Sequence, residues 1–208
     1  MKQRLYIILL CLASLGSIPG KEFHVSINGN DKNDGSEKSP FKSISRAAQV
    51  SFPGDIITVH EGTYRERISP PRGGASADKP IVYQAAKGEK VEIKGSEVIK
   101  GWKKVNEHTW MIRISCDFFG SFNTYSNNIH GDWLVKRQWS HSGEVYLNNS
   151  RLHESEKKED VLSNNNKAKA LWFCQLEGGD TIIWANFNCD PNEETVEINT
   201  RQSVFYPE

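Results

Sequence analysis

The feature that most constrains this chain is a succession of short β-branched or aromatic runs, each closed by Gly, Pro, Asn or Asp. They read "FHVSI", "DIITVH", "TYRERI", "PIVYQAA", "KVEIKGS", "TWMIRI", "TIIWANF" and "TVEINT". Runs of this length with turn formers between them predict strands, and they are too short to stand as helices. Only "FKSISRAAQV" has helical spacing, with Ile44, Ala47 and Ala48 on one face and "FPGD" as its stop. The long helices that a doubly wound sheet requires have no counterpart, so the fold class expected is all-β.

Order along the chain refines this. Up to about Ile99 the strands follow one another at close spacing after the single small helix. That suits the N-terminal cap and first coil of a right-handed parallel β-helix, with one short helix as the cap. A cap is needed because the end of a solenoid otherwise exposes its core and its unpaired strand groups. From Gly101 the texture changes: Trp102, Trp110, Phe118, Phe119, Phe122, Tyr125 and Trp133 concentrate aromatics, and "HESEKKEDVLSNNNKAKA" reads as a charged, solvated loop. The divisions expected are 1–20 as a signal peptide, 21–100 as cap and first coil, 101–194 as an inserted β-rich, sandwich-like module, and 195–208 as a returning strand.

The signal peptide rests on Lys2 and Arg4 ahead of the apolar run from Leu5 to Leu15, with Gly16 and Gly20 as small residues for cleavage. The run is short for a membrane span. Cys11 follows Leu10, which is not the small residue that lipid attachment calls for, so a plain export signal and a secreted or periplasmic location are expected. Losing Lys2 and Arg4 leaves 24 basic against 26 acidic residues, a formal charge of −2. Nothing in that balance suggests a grip on nucleic acid or on an anionic membrane. Cys116, Cys174 and Cys189 then remain, an odd number, with a Cys174–Cys189 bridge and buried free thiols both open.

Several stretches invite a catalytic reading. "VHEGTYRE" places His60 beside Glu61, but a zinc helix needs a second histidine where Tyr64 stands. Alternation puts Tyr64, Glu66 and Ile68 on one face, so Glu66 is expected to point inward and accept backbone N–H groups near the cap. "NGNDKNDGSEKSP" fails as a calcium loop because Lys32 and Phe41 fall where ligands belong. "GASAD" ends in Asp78 where a nucleophile elbow needs glycine. "HESEK" has Lys157 in place of a second histidine, and "KGEK" lacks the spacing of a phosphate loop. His141 and Ser142 in "SHSGE" have no recognisable acid partner and read as a surface loop. No metal ligand set and no cofactor site are expected.

The ordered set "ITVHEGTYRE", "PIVYQAAKGEKVEIKGSEVIKGW", "FFGSFNTY", "HGDWL", "EVYLNN" and "DPNEETVEINTRQSVFYP" resembles glycoside hydrolase family 120 over essentially everything after the signal peptide. The resemblance implies a right-handed parallel β-helix with an inserted sandwich-like module, and retaining hydrolysis of xylo-oligosaccharides by two carboxylates. It places those carboxylates downstream of "VFYP", so no catalytic residue is assigned here. It implies that Trp133 of "HGDW" is an aromatic wall of the sugar pocket, against the alternative of a core tryptophan. Asp132 beside it bonds sugar hydroxyls or caps a turn. The alternatives are a non-catalytic carbohydrate-binding or structural module and, last, a polysaccharide lyase fragment. An incomplete β-helix is also expected to self-associate through its open end.

Overall fold

In a computed structural model, residues 20–134, 139–164 and 169–207 are described. The expected signal peptide, Gly20 apart, lies outside them. Among the described residues the structure is mostly β, with few helices and no closed barrel. In chain order the elements are β1 (Glu22–Val25), α1 (Ile44–Val50), β2 (Ile56–Val59), β3 (Gly62–Tyr64), β4 (Val82–Ala85), β5 (Val91–Ile93), β6 (Ser96–Val98), β7 (Lys103–Lys104) and β8 (Thr109–Ser115). There follow β9 (Val145–Leu147), β10 (Ser150–Arg151), β11 (His153–Glu154), α2 (Lys158–Leu162), β12 (Leu171–Glu177), β13 (Asp180–Asn186) and β14 (Val196–Asn199). No helix of the described residues is long and apolar enough to cross a membrane.

The first part is built of parallel ladders. β1, β2 and β4 stack in register, Phe23 on Ile57 on Tyr83 and Val25 on Val59 on Ala85. β3 and β5 form a second parallel pair, with Tyr64 opposite Ile93. Repeating the same register from strand to strand puts like residues above one another. Phe23, Val25, Ile57, Val59, Tyr64 and Ile68 thereby fill one core, which α1 closes with Ile44, Ala47 and Ala48. Ser43 caps α1 by accepting from Arg46 N–H. Glu66 completes the cap: its carboxylate accepts from Ile44 N–H at 2.9 Å, Ser45 N–H at 2.8 Å and Ser45 Oγ–H at 2.5 Å. The inward acceptor expected at this position is what the structure holds.

The second part has two sheets sharing a core. One is β11-β12-β13-β8-β7 and the other β10-β9-β14-β6. Alternate residues face inward: Trp110, Ile112 and Ile114 on β8, Trp172 and Cys174 on β12, against Val145, Val196 and Ile198 from the other sheet. The outer face of β13 is covered by α2, where Val161 is fully buried against Ile182 and Trp184. The loop expected over "HESEKKEDVLSNNNKAKA" is therefore corrected. Apart from Glu154, 9% exposed on β11, its described charged residues face solvent in whole or part, while Val161 with half-buried Leu162 is enough to dock a helix, and burying a valine is worth about 1.5–3 kcal/mol. Cys116, Cys174 and Cys189 are all free, with Cys174 buried.

The two parts meet in a network of charges. Glu197 on β14, 4% exposed, accepts from Arg65 at 2.6 Å, Ser96 Oγ at 2.9 Å and Lys94 at 3.1 Å. Arg201 pairs with Glu97 at 2.5 Å and donates to the Arg65 carbonyl at 3.0 Å. After β14 the chain returns to the ladders, where Phe205 bridges Ile68 in parallel and packs edge-on against Tyr83.

Candidate functional site

Trp133 sits in a single 3-10 turn, Asp132–Leu134, closed by Leu134 N–H on the Gly131 carbonyl at 2.9 Å. It is 77% exposed, the most exposed large hydrophobic residue among those described, which removes the alternative of a core tryptophan. Gly131 explains the pose. A Cβ there would lie 2.4 Å from the indole Nε1, so a larger residue would push the exposed ring into another pose. Asp132 is exposed in the same turn. An indole face next to a carboxylate offers apolar contact for sugar C–H groups and an acceptor for sugar hydroxyls.

The segment bearing this turn leaves and returns at one point. Asn128 and His141 form an antiparallel bridge, and Ile129 N–H donates to the Ser140 carbonyl at 2.8 Å. His141 is in turn fixed from below. Its Nδ1 lies 2.5 Å from Glu154 Oε1 on β11, and its backbone N–H donates to Glu154 Oε2 at 3.0 Å. The reading of "SHSGE" as a loop without an acid partner is thus corrected. Glu154 is 13 residues away on a separate strand, and no local spacing announces it. Cys174 Sγ on β12 stands 3.7 Å from the same Nδ1. Burial, with a further contribution from the charge on Glu154, pushes the Cys174 thiol far above its usual range, so it stays protonated.

A cleft of about 400 Å³ lies at the junction of the two parts, lined by Lys94, Ser96, Tyr146, Asn149, Glu197 and Arg201 among others. Its charges are already spent on one another. Burial would by itself raise the Glu197 carboxyl, but the hydrogen bonds from Arg65, Ser96 and Lys94 outweigh it and hold the group below its ordinary value. Lys94 also reaches Asn149 Oδ1 at 2.8 Å. This cleft reads as a structural seam. The histidines of the ladder are likewise occupied: His60 bonds His24 at 3.0 Å and Glu89 at 3.2 Å.

Comparison with known proteins agrees with this architecture. Residues 99–198 match the family model "Glycoside hydrolase 120, insertion domain", and residues 27–71 match "Protein of unknown function (DUF1565)". The first match agrees with the likeness to glycoside hydrolase family 120 carried by the sequence, and residues 99–198 are similar to that family's insertion domain. A solved structure described as "The complex structure of XylC with xylose" superimposes with a TM-score of 0.83 at 40% identity, over 89% of this chain and 32% of that one. "Uncharacterized protein YwoF" of Bacillus subtilis (strain 168) is 33% identical over 79 residues, 38% of this chain and 17% of that protein. The chain thus spans about a third or less of each of these two relatives.

Proposed function

We propose that this chain forms the amino-terminal part of a glycoside hydrolase acting on xylose-containing oligosaccharides, and that Trp133 is its sugar-facing wall. The observation that carries the reading is the 40% identity, at a TM-score of 0.83 over both parts of the chain, to a protein solved with xylose. The free indole of Trp133 supports it from the chain itself. The stacked registers of β1-β2-β4 and β3-β5 support reading the first part as the opening turns of a parallel β-helix, capped by α1.

Retaining hydrolysis takes two carboxyl groups about 5 Å apart across the scissile bond. Glu66, Glu154 and Glu197 are each committed to a helix cap, a histidine or a guanidinium. None of these three serves as such a pair, and we assign cleavage to the rest of a longer protein and binding to this part, because the chain covers 32% of the structure solved with xylose. The basic start and apolar run of residues 1–20 support reading the module as exported from the cytoplasm.

Calorimetric titration of the chain with xylobiose and xylotriose tests this. Measurable heat of binding, with the affinity of Trp133→Ala weakened by about 0.5–1.5 kcal/mol, is the expected result. Equal binding by the variant contradicts the assignment. Binding with no turnover by any longer form of the protein favours a purely carbohydrate-binding module.

A further inference from the structure

The base of the Trp133 segment holds three donors of three chemical kinds. His141 Nδ1, Glu154 Oε and Cys174 Sγ all lie within 4.8 Å of one another. They come from three separate places, the return of the segment, β11 and β12, and the sugar reading uses none of them. Glu154 and Cys174 are 9% and 6% exposed. Imidazole, thiolate and carboxylate are the ligand types of tetrahedral zinc, with bonds of about 2.0–2.3 Å, which put donors about 3.3–3.8 Å apart. The 3.7 Å from Nδ1 to Sγ already fits, while the 2.5 Å from Nδ1 to Oε1 has to open. One thiolate and one carboxylate also balance a divalent charge, as a buried site requires.

A second observation points the same way. Ser140 Oγ and Trp172 Nε1 are buried without a hydrogen-bond partner, in residues 6% and 0% exposed. Ser140 adjoins His141, and Trp172 is the register partner of Glu154. Orphaned buried polar atoms are rare and commonly mark a water or an ion.

We propose that His141, Glu154 and Cys174 form a zinc-type divalent metal site with a water as fourth ligand, pinning the base from which Trp133 is displayed. On binding, the Cys174 thiol proton leaves to solvent and the sulfur donates its electron pair to the metal. The neutral ring carries its single hydrogen on Nε2, moved there from Nδ1, so the thiol proton is the one released. Because a proton is released, affinity rises with pH. No redox change is involved.

The test uses the whole chain, stripped with EDTA and titrated with Co²⁺ as an optical probe. One cobalt per chain with a near-ultraviolet thiolate-to-metal band is expected, displaced by Zn²⁺, together with a higher melting temperature in zinc. The band should persist when Cys116 and Cys189 are both changed to Ser, and vanish in Cys174→Ser. Glu154→Gln should weaken cobalt binding by more than the about 10–100-fold typical of outer-shell partners. The competing arrangement is a His141–Glu154 hydrogen bond, with the thiol donating to the Tyr125 carbonyl at 3.7 Å. No thiolate band and no effect of zinc on melting in the unaltered chain would establish that arrangement and overturn the metal site. A band surviving in Cys174→Ser would overturn it as well.

Discussion

Glu66 shows how much one residue's surroundings decide. Three donors at the start of α1 converge on its carboxylate, so its charge serves the helix end. Glu66→Gln puts an amide N–H₂ against those donors and should lower stability by about 1–3 kcal/mol in chemical denaturation. Glu197 gives a pH dependence with a definite sign. Its folded carboxyl is held below the ordinary value of 4.5. Its contribution is therefore present above 4.5 and lost as pH falls through the lower, folded value. Acid unfolding of the chain should begin at a higher pH in Arg65→Met, measured by circular dichroism, because the group's strongest partner is gone. Asp55, 6% exposed, accepts from Phe52 N–H and from Lys21 N, each at 2.7 Å. Cleavage after Gly20 would turn Lys21 N into an ammonium facing that carboxylate, so sequencing of the exported chain should find Lys21 first. An intact Met1 on exported protein would contradict export by cleavage.

At the scale of elements, the strands of the ladders were legible because each is a β-branched run bracketed by turn formers. α1 was legible from Ile44, Ala47 and Ala48, all three of which are buried. β9 and β10 were not assigned, although their signal was present. Asn148 and Asn149 take φ of 49° and 64° between them, as a two-residue hairpin turn requires. α2 was hidden by its charge, since a five-residue helix buries only Val161, with Leu162 half-buried beside it. Val161→Asp should detach α2 and cost about 2–4 kcal/mol, an uncompensated buried charge replacing a packed side chain. In hydrogen exchange the change should expose α2 and the neighbouring edge of β13 while leaving the ladders of β1, β2 and β4 protected.

For the whole molecule, two cores are joined across Arg65–Glu197 and Arg201–Glu97, pairs separated by more than a hundred residues in sequence. Such distances explain what sequence reading could not reach. Trp133 could be singled out because its word, "HGDW", is local, and the structure shows its ring exposed. The His141–Glu154–Cys174 cluster was missed because it exists only once β11, β12 and the return of the Trp133 segment are side by side. The central claim is that this chain presents a sugar to the face of Trp133. A crystal structure of the chain soaked with xylotriose tests it most directly. The account predicts a pyranose ring stacked on the exposed indole with a hydroxyl within hydrogen-bond reach of Asp132. Sugar bound elsewhere, with the Trp133 face bare, would contradict it.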